Sequence, residues 1–284
     1  MASSNAAGMN AAGSIDDGSS VREAPNETPD IRNVWAFNLD DELDNIGRII
    51  KRYNYVAMDT EFPGVTSNFL TECPSRGEYD YHNLRCNVNM MKVIQIGFTF
   101  MDEAGNKPPN NCTWQFNFKF SLTEDMYADD SIALLVNSGI EFERHQKQGI
   151  DPYEFAQLLT VSGVVLSPNV KLICFHGAYD VAYLLRLLTN APLPQDMSEF
   201  MEVVRLYFPV VYDVKYLAQT CTNLKGGLKT LADKLEVEQI GRRHQAGSDS
   251  LLTAEVFFKI RDIFFEGEIT NANLCGPLVG LGIP

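Results

Sequence analysis

Nowhere along its 284 residues does this chain carry an apolar run near the roughly 20 residues that a membrane-spanning helix needs. The opening segment, MASSNAAGMNAAGSIDDGSS, has neither the basic start nor the apolar middle of a secretory signal. The expectation is a protein of the cytosol or nucleus. Six cysteines, Cys73, Cys86, Cys112, Cys174, Cys221 and Cys275, never approach C-x-x-C spacing, so neither a zinc site nor a disulfide ladder is expected. Positive charge is scarce: 23 Lys and Arg stand against 37 Asp and Glu, a formal charge of −14. That balance excludes a general nucleic-acid coat, because nonspecific affinity rests on many cationic contacts to phosphate. It leaves room for an enzyme that holds a few nucleotides through metal ions.

What is present begins after a weak start. Residues 1–30 are rich in Ser, Gly, Asn and Ala, too poor in large apolar side chains to offset the entropy of ordering, and are expected to form a disordered tail. From Ile31 to about Phe265 the patterning is dense, without low-complexity linker, repeat or long charge run. With 45% hydrophobic residues the chain can bury a sizeable core, and residues 31–284 are expected to form a single domain.

Periodicity places the elements coarsely. DDELDNIGRIIKRY has helical spacing at Leu43, Ile46, Ile49 and Ile50, and YVAMDTEF switches to a strand that Pro63 and Gly64 stop. KVIQIGFTFMD and TWQFNFKFSL read as a hairpin turned by DEAGNKPPNN. Helical patterns follow near 123–137 and 153–161, then the buried strand VKLICF runs into the helix AYDVAYLLRLL, the switch falling at His176 and Gly177. SEFMEVVRLYF is a helix, PVVYDV a strand, and LKTLADKLEV and SLLTAEVFFKIRDIFF two further helices. Three early strands extended by strand–helix units predict an α/β fold with a ribonuclease H-like mixed β-sheet flanked by helices on both faces.

Four acids sit where such elements begin or stop: Asp59, Glu61, Asp180 and Asp249. Asp59 and Glu61 are two apart on a strand, which points both to one side of the sheet. Alone, a D-x-E pair is more often two solvated acids at a strand end. Asp180 lies near a helix start, where negative charge is favourable without any function. Asp249 follows Ser248 at the expected start of the last helix, where either is an ordinary cap. Their joint placement along one sheet edge is what points to chemistry, since a few carboxylates with open coordination suit two magnesium-like ions. His244, in a loop that glycine and small residues keep from helix, is then placed to take a proton from water near neutral pH.

The remaining candidates are weaker. His82 and His145 fall in polar loop sequence, and His176 reads as part of a turn. Lys225, Gly226 and Gly227 precede a helix whose start can hold phosphate, though a plain entry turn explains them better. Lys229, Arg242 and Arg243 add positive charge that either steers an RNA backbone or is simply solvated. The stripe Trp114, Phe116, Phe118, Phe120 is more simply core than a base-stacking platform.

Long stretches, YNYVAMDTEFPGV, LRCNVNMMKVIQIGFTF, WQFNFKFSLTEDMYA, FPVVYDVKYL, NLKGGLKTLADKLEVEQIG and HQAGSDSLLT, closely resemble the Caf/Pop family, the DEDD-type deadenylase subunits of the Ccr-Not mRNA-decay complex. The resemblance runs from about Ile31 to Gly282. It implies 3′-to-5′ removal of poly(A) with release of 5′-AMP, and two divalent ions, Mg²⁺ or Mn²⁺, held by Asp59, Glu61, Asp180 and Asp249. It implies His244 as general base, and as partners poly(A) RNA, the Not scaffold, a second Ccr-type deadenylase and BTG/Tob proteins, with no membrane. The implied location is the cytoplasm, including P-bodies, and the nucleus. Two departures are Gly177-Ala178 where a Ser-Gly pair is common, and Arg242-Arg243 in place of Pro-Gln. The complete acid set favours an active enzyme over a structural adaptor, and the family stretches disfavour a DNA-proofreading exonuclease of the same fold.

Overall fold

The computed structural model describes residues 31–66 and 73–281; the expected tail at 1–30 lies outside them. The elements in chain order are β1 (Ile31–Val34), α1 (Leu39–Ile49), β2 (Tyr55–Glu61), α2 (Arg76–Met90), β3 (Gln95–Met101), β4 (Thr113–Asn117), α3 (Asp129–Asn137), α4 (Phe142–Gln148) and α5 (Pro152–Val161). They continue as β5 (Lys171–Cys174), α6 (Ala178–Thr189), α7 (Met197–Tyr207), β6 (Val210–Asp213), α8 (Val214–Thr220), α9 (Leu228–Lys234) and α10 (Ala246–Phe264). Short helix 36–38 and 272–274 turns are 3-10. No described helix is long and apolar enough to cross a membrane.

The strands form one mixed sheet in the order β1-β4-β3-β2-β5-β6. β2, β3 and β4 pair antiparallel, as the hairpin pattern predicts, while β1 adds parallel to β4 and β5 and β6 continue parallel from β2. Helices cover both faces. Val56 and Met58 of β2, Phe98 and Phe100 of β3 and Trp114 and Phe116 of β4 share one apolar core with α1, α2, α5 and α6. Ala57, Met101 and Ile173 face the other core, built with α8, α9 and α10.

The alternation read in β4 is real, but its polar face is not wet. Thr113, Gln115 and Asn117 are as buried as the aromatic residues between them, because α10 lies over them. Gly97 makes that approach feasible: a Cβ there would run into the Ala246 carbonyl.

Several expectations need correction. The helix expected at 123–137 begins only at Asp129, and β1, α2, α4 and α8 were not expected at all. α2 buries only Tyr81, Leu84, Asn87 and Val88, a stripe too narrow and too polar to stand out by periodicity. His82 therefore lies on a helix rather than a loop. So does His145, which is buried in α4 with its Nδ1 2.8 Å from the Phe118 carbonyl. Asp249 is not the cap of the last helix: α10 starts at Ala246 with Gln245 at its N-cap, so the small residues Ala246, Gly247 and Ser248 are its first turn.

Candidate metal centre

Strand alternation delivers Asp59 and Glu61, with Ala57, to the face covered by α10. Their partners across β3 are Gly97 and Gln95, so the acids lie where the start of α10 presses closest to the sheet. Thr60 points the opposite way, toward α6. There its amide and hydroxyl donate to Asp180 Oδ1 at 2.9 and 2.6 Å. Asp180 thus comes from the helix on the far face, in the first turn of α6, and is tied to the end of β2 by the residue between the other two acids.

α10 contributes the fourth acid one turn into the helix. Asp249 Oδ1 accepts from Gln239 Nε2 at 2.7 Å, and its Oδ2 accepts from the His244 amide at 3.0 Å. His244 adopts a left-handed backbone, φ 57°, which turns the chain sharply into α10. One ligand atom each from Glu61, His244 and Asp249 lie within 4.8 Å of one another.

Electrostatics bind Asp59 and Asp180 to the same cluster. Burial, then the Asp180, Asp249 and Glu61 carboxylates, push Asp59 well above the usual carboxylate range. Glu61 is raised in the same way by burial, Asp249 and Asp180. Burial lifts Asp180 to about 7 against the opposing Thr60 hydrogen bonds. Asp249 is raised by burial and held back by His244, Gln239 and Arg243. Four carboxyls that resist ionising together, beside an imidazole, are a donor set whose charge a divalent cation neutralises. These residues fit such a cation.

The structure separates the basic candidates. Arg243 is near enough to lower Asp249, and Arg242 extends its guanidinium over Gly139. Lys229 pairs with Asp233 at 2.6 Å, and the exposed Lys225 gives its carbonyl to Lys234. His176 holds a turn as expected, with φ 58°, its amide donating to Asp213 and Lys215 Nζ 3.2 Å from its Nδ1. The aromatic stripe of β4 is core.

Thr60, Gln239 and Gln245 were not singled out by sequence. Their side chains touch residues 120, 10 and up to 150 positions away, and no local spacing encodes that.

The model for the CAF1 family ribonuclease matches residues 34–157 and 154–257. The poly(A) ribonuclease pop2 of Schizosaccharomyces pombe is 49% identical over 252 residues, covering 89% of this chain and 75% of that protein. A structure of S. pombe Pop2p in its Mg²⁺- and Mn²⁺-bound form has a TM-score of 0.86 at 49% identity, covering 89% of this chain and 100% of that one. A chain in the structure of the yeast NOT1 MIF4G domain co-crystallised with CAF1 has a TM-score of 0.73 at 32% identity, covering 87% of this chain and 96% of that one.

Proposed function

The chain belongs to the CAF1 ribonuclease family, and on that premise we infer that it is a metal-dependent 3′-to-5′ exoribonuclease that shortens poly(A) tails and releases 5′-AMP. The observation that carries this reading is the cluster of Glu61, His244 and Asp249 within 4.8 Å, joined electrostatically to Asp59 and Asp180. The Mg²⁺- and Mn²⁺-bound form of the Pop2p relative supports the same cations here.

Asp59, Glu61, Asp180 and Asp249 would hold two divalent ions, Mg²⁺ or Mn²⁺. Bound there, such ions lower the pKa of an attacking water and stabilise charge on the leaving 3′ oxygen. The rest falls to the protein. His244, its backbone anchored to Asp249, accepts the proton that the water gives up. Thr60 fixes one oxygen of Asp180, and Gln239 fixes one of Asp249, so that neither carboxylate has to be oriented during turnover. Arg243, and more distantly Arg242, place positive charge against the RNA backbone in an otherwise acidic molecule; Lys225 and Lys229 are at most outer contacts.

The chain acts, in this reading, as the catalytic subunit of the Ccr-Not complex. The CAF1 relative crystallised with the NOT1 MIF4G domain supports docking on the scaffold. A second Ccr-type deadenylase and BTG/Tob proteins as partners, and residence in cytoplasm and nucleus, rest on the family resemblance.

The test is a 5′-labelled RNA ending in adenosines, incubated with Mg²⁺ or Mn²⁺, with chelator, and with the Asp59→Ala variant. A metal-dependent ladder shortening from the 3′ end, absent in the variant, is expected. An intact substrate with either ion would instead point to a structural adaptor.

A further inference from the structure

The first turn of α10 is capped from the sheet and not by its own N-cap residue. Ser75, Asp151 and Asp213 cap α2, α5 and α8 with their own side chains, whereas Gln245 makes no capping bond to α10. Its side chain is used elsewhere. Gln245 Oε1 accepts from Gln115 Nε2 at 3.0 Å and Gln95 Nε2 at 3.2 Å, and its Nε2 donates to the Ser138 carbonyl at 3.1 Å. The two sheet glutamines then cap the helix in its place: Gln95 Oε1 accepts from the Ala246 amide and Gln115 Oε1 from the Gly247 amide. Asn117 and Asn33 close the network from behind.

A buried amide network is costly unless fully satisfied, and the opposite face of the same strands is packed with Phe98, Phe116 and Trp114 instead. The network is joined to His244 through the next residue in the chain, Gln245. His244 has a left-handed backbone, which persists in a non-glycine residue only where its surroundings over-determine it. Here its amide is held by Asp249, its carbonyl accepts from Ser138 Oγ at 2.9 Å, and the next side chain is locked into the sheet.

We propose that Gln245, assisted by Ser138, is a positioning residue that sets the His244 imidazole against Glu61 and Asp249. The proposal rests on the reading of His244 as proton acceptor. Without the lock, His244 relaxes out of its left-handed conformation and carries the imidazole away from the acids, while the substrate-binding surface is left as it was.

A double-mutant cycle on the full chain with 5′-labelled oligoadenylate tests this, using Gln245→Met, His244→Ala and the pair, with Ser138→Ala as a second probe. Thermal midpoints and calorimetric Mn²⁺ titrations accompany the kinetics. Gln245→Met is expected to lower kcat about 10- to 100-fold, the range a misplacement near 1 Å produces, with KM and Mn²⁺ affinity within about threefold. In the His244→Ala background it should cost less than about twofold more. Ser138→Ala, which deletes only a hydroxyl, should follow the same pattern more weakly and carries the cycle if Gln245→Met does not fold. An unchanged kcat in both probes, or a loss repeated in full without His244, overturns the proposal alone. An undiminished kcat in His244→Ala overturns the assignment of His244, and the proposal with it.

Discussion

Thr60 donates twice to one oxygen of Asp180, through its hydroxyl at 2.6 Å and its amide at 2.9 Å, across 120 residues of sequence. The same seven-residue strand therefore presents two acids on one face and, from the residue between them, grips the acid that arrives on the other. Thr60→Val keeps the shape and the amide bond but removes the hydroxyl bond, so that Asp180 is held at one point in place of two. The variant should fold, lose about 1 kcal/mol of stability and lose roughly tenfold in kcat with little change in KM, as measured by steady-state kinetics and urea melts.

Asp59 is held in the fold against its preference to be charged, by burial first and then by Asp180, Asp249 and Glu61. Asp59→Asn is therefore expected to abolish turnover and to raise the thermal midpoint of the metal-free protein at pH 7. The sign of the pH effect follows from the raised folded values: above the ordinary carboxylate range the folded protein binds more protons than the unfolded chain, so metal-free stability falls as pH climbs from about 4 toward the value near 7 of Asp180. Millimolar Mn²⁺ should reverse that loss by mass action, and a melting series with and without the ion reads both effects.

His145 gives the opposite slope. Burial holds its pKa down to about 4, the nearby Arg144 adds to that, and the ring stays neutral against the Phe118 carbonyl. Below about pH 6.5 the unfolded chain takes up a proton that the folded one refuses, so this contribution is complete above 6.5 and is lost as pH falls toward 4. The loss amounts to roughly 3 kcal/mol at about 1.4 per pH unit. His145→Gln should flatten the stability profile between pH 6.5 and 4 relative to the parent, a difference that isolates this group from the acids.

Asp213 is a structural hub behind the candidate centre. Its buried carboxylate accepts from the amides of His176, Gly177, Lys215 and Val279, joining the turn into α6, the start of α8 and the C-terminal segment. Asp213→Ala leaves those donors without an acceptor and should cost about 3 kcal/mol or more, seen as a lowered urea midpoint with an unchanged slope.

Much of the fold was legible beforehand because its signals are local. The run from Tyr55 to Glu61, the hairpin of β3 and β4 and the helical faces of α6 and α10 each announce themselves within a dozen residues. β1 is four residues long and finds its partner, β4, some eighty positions on, so nothing nearby marks it. α2 hides because its buried face is narrow. His145 looked solvated because Arg144, Gln146 and Lys147 surround it in sequence, while Trp35 and Phe142 surround it in space.

The amino-acid order alone specified where β2 to β6 and most of the amphipathic helices form, though not β1, α2, α4 or α8, and that Asp59 and Glu61 share a face, since both follow from repeat distances along one backbone. It also marked Asp180 and Asp249 as candidates, through their places near element ends, and His244 through its loop position five residues before Asp249. Only the tertiary structure decided that Asp180 reaches the cluster from the opposite face through Thr60, and that the polar face of β3 and β4 lies buried under α10. Only there did Gln245 turn from its own helix to the sheet. These are pairings between distant segments, chosen by which surfaces exclude water together and which polar atoms then have to find one another.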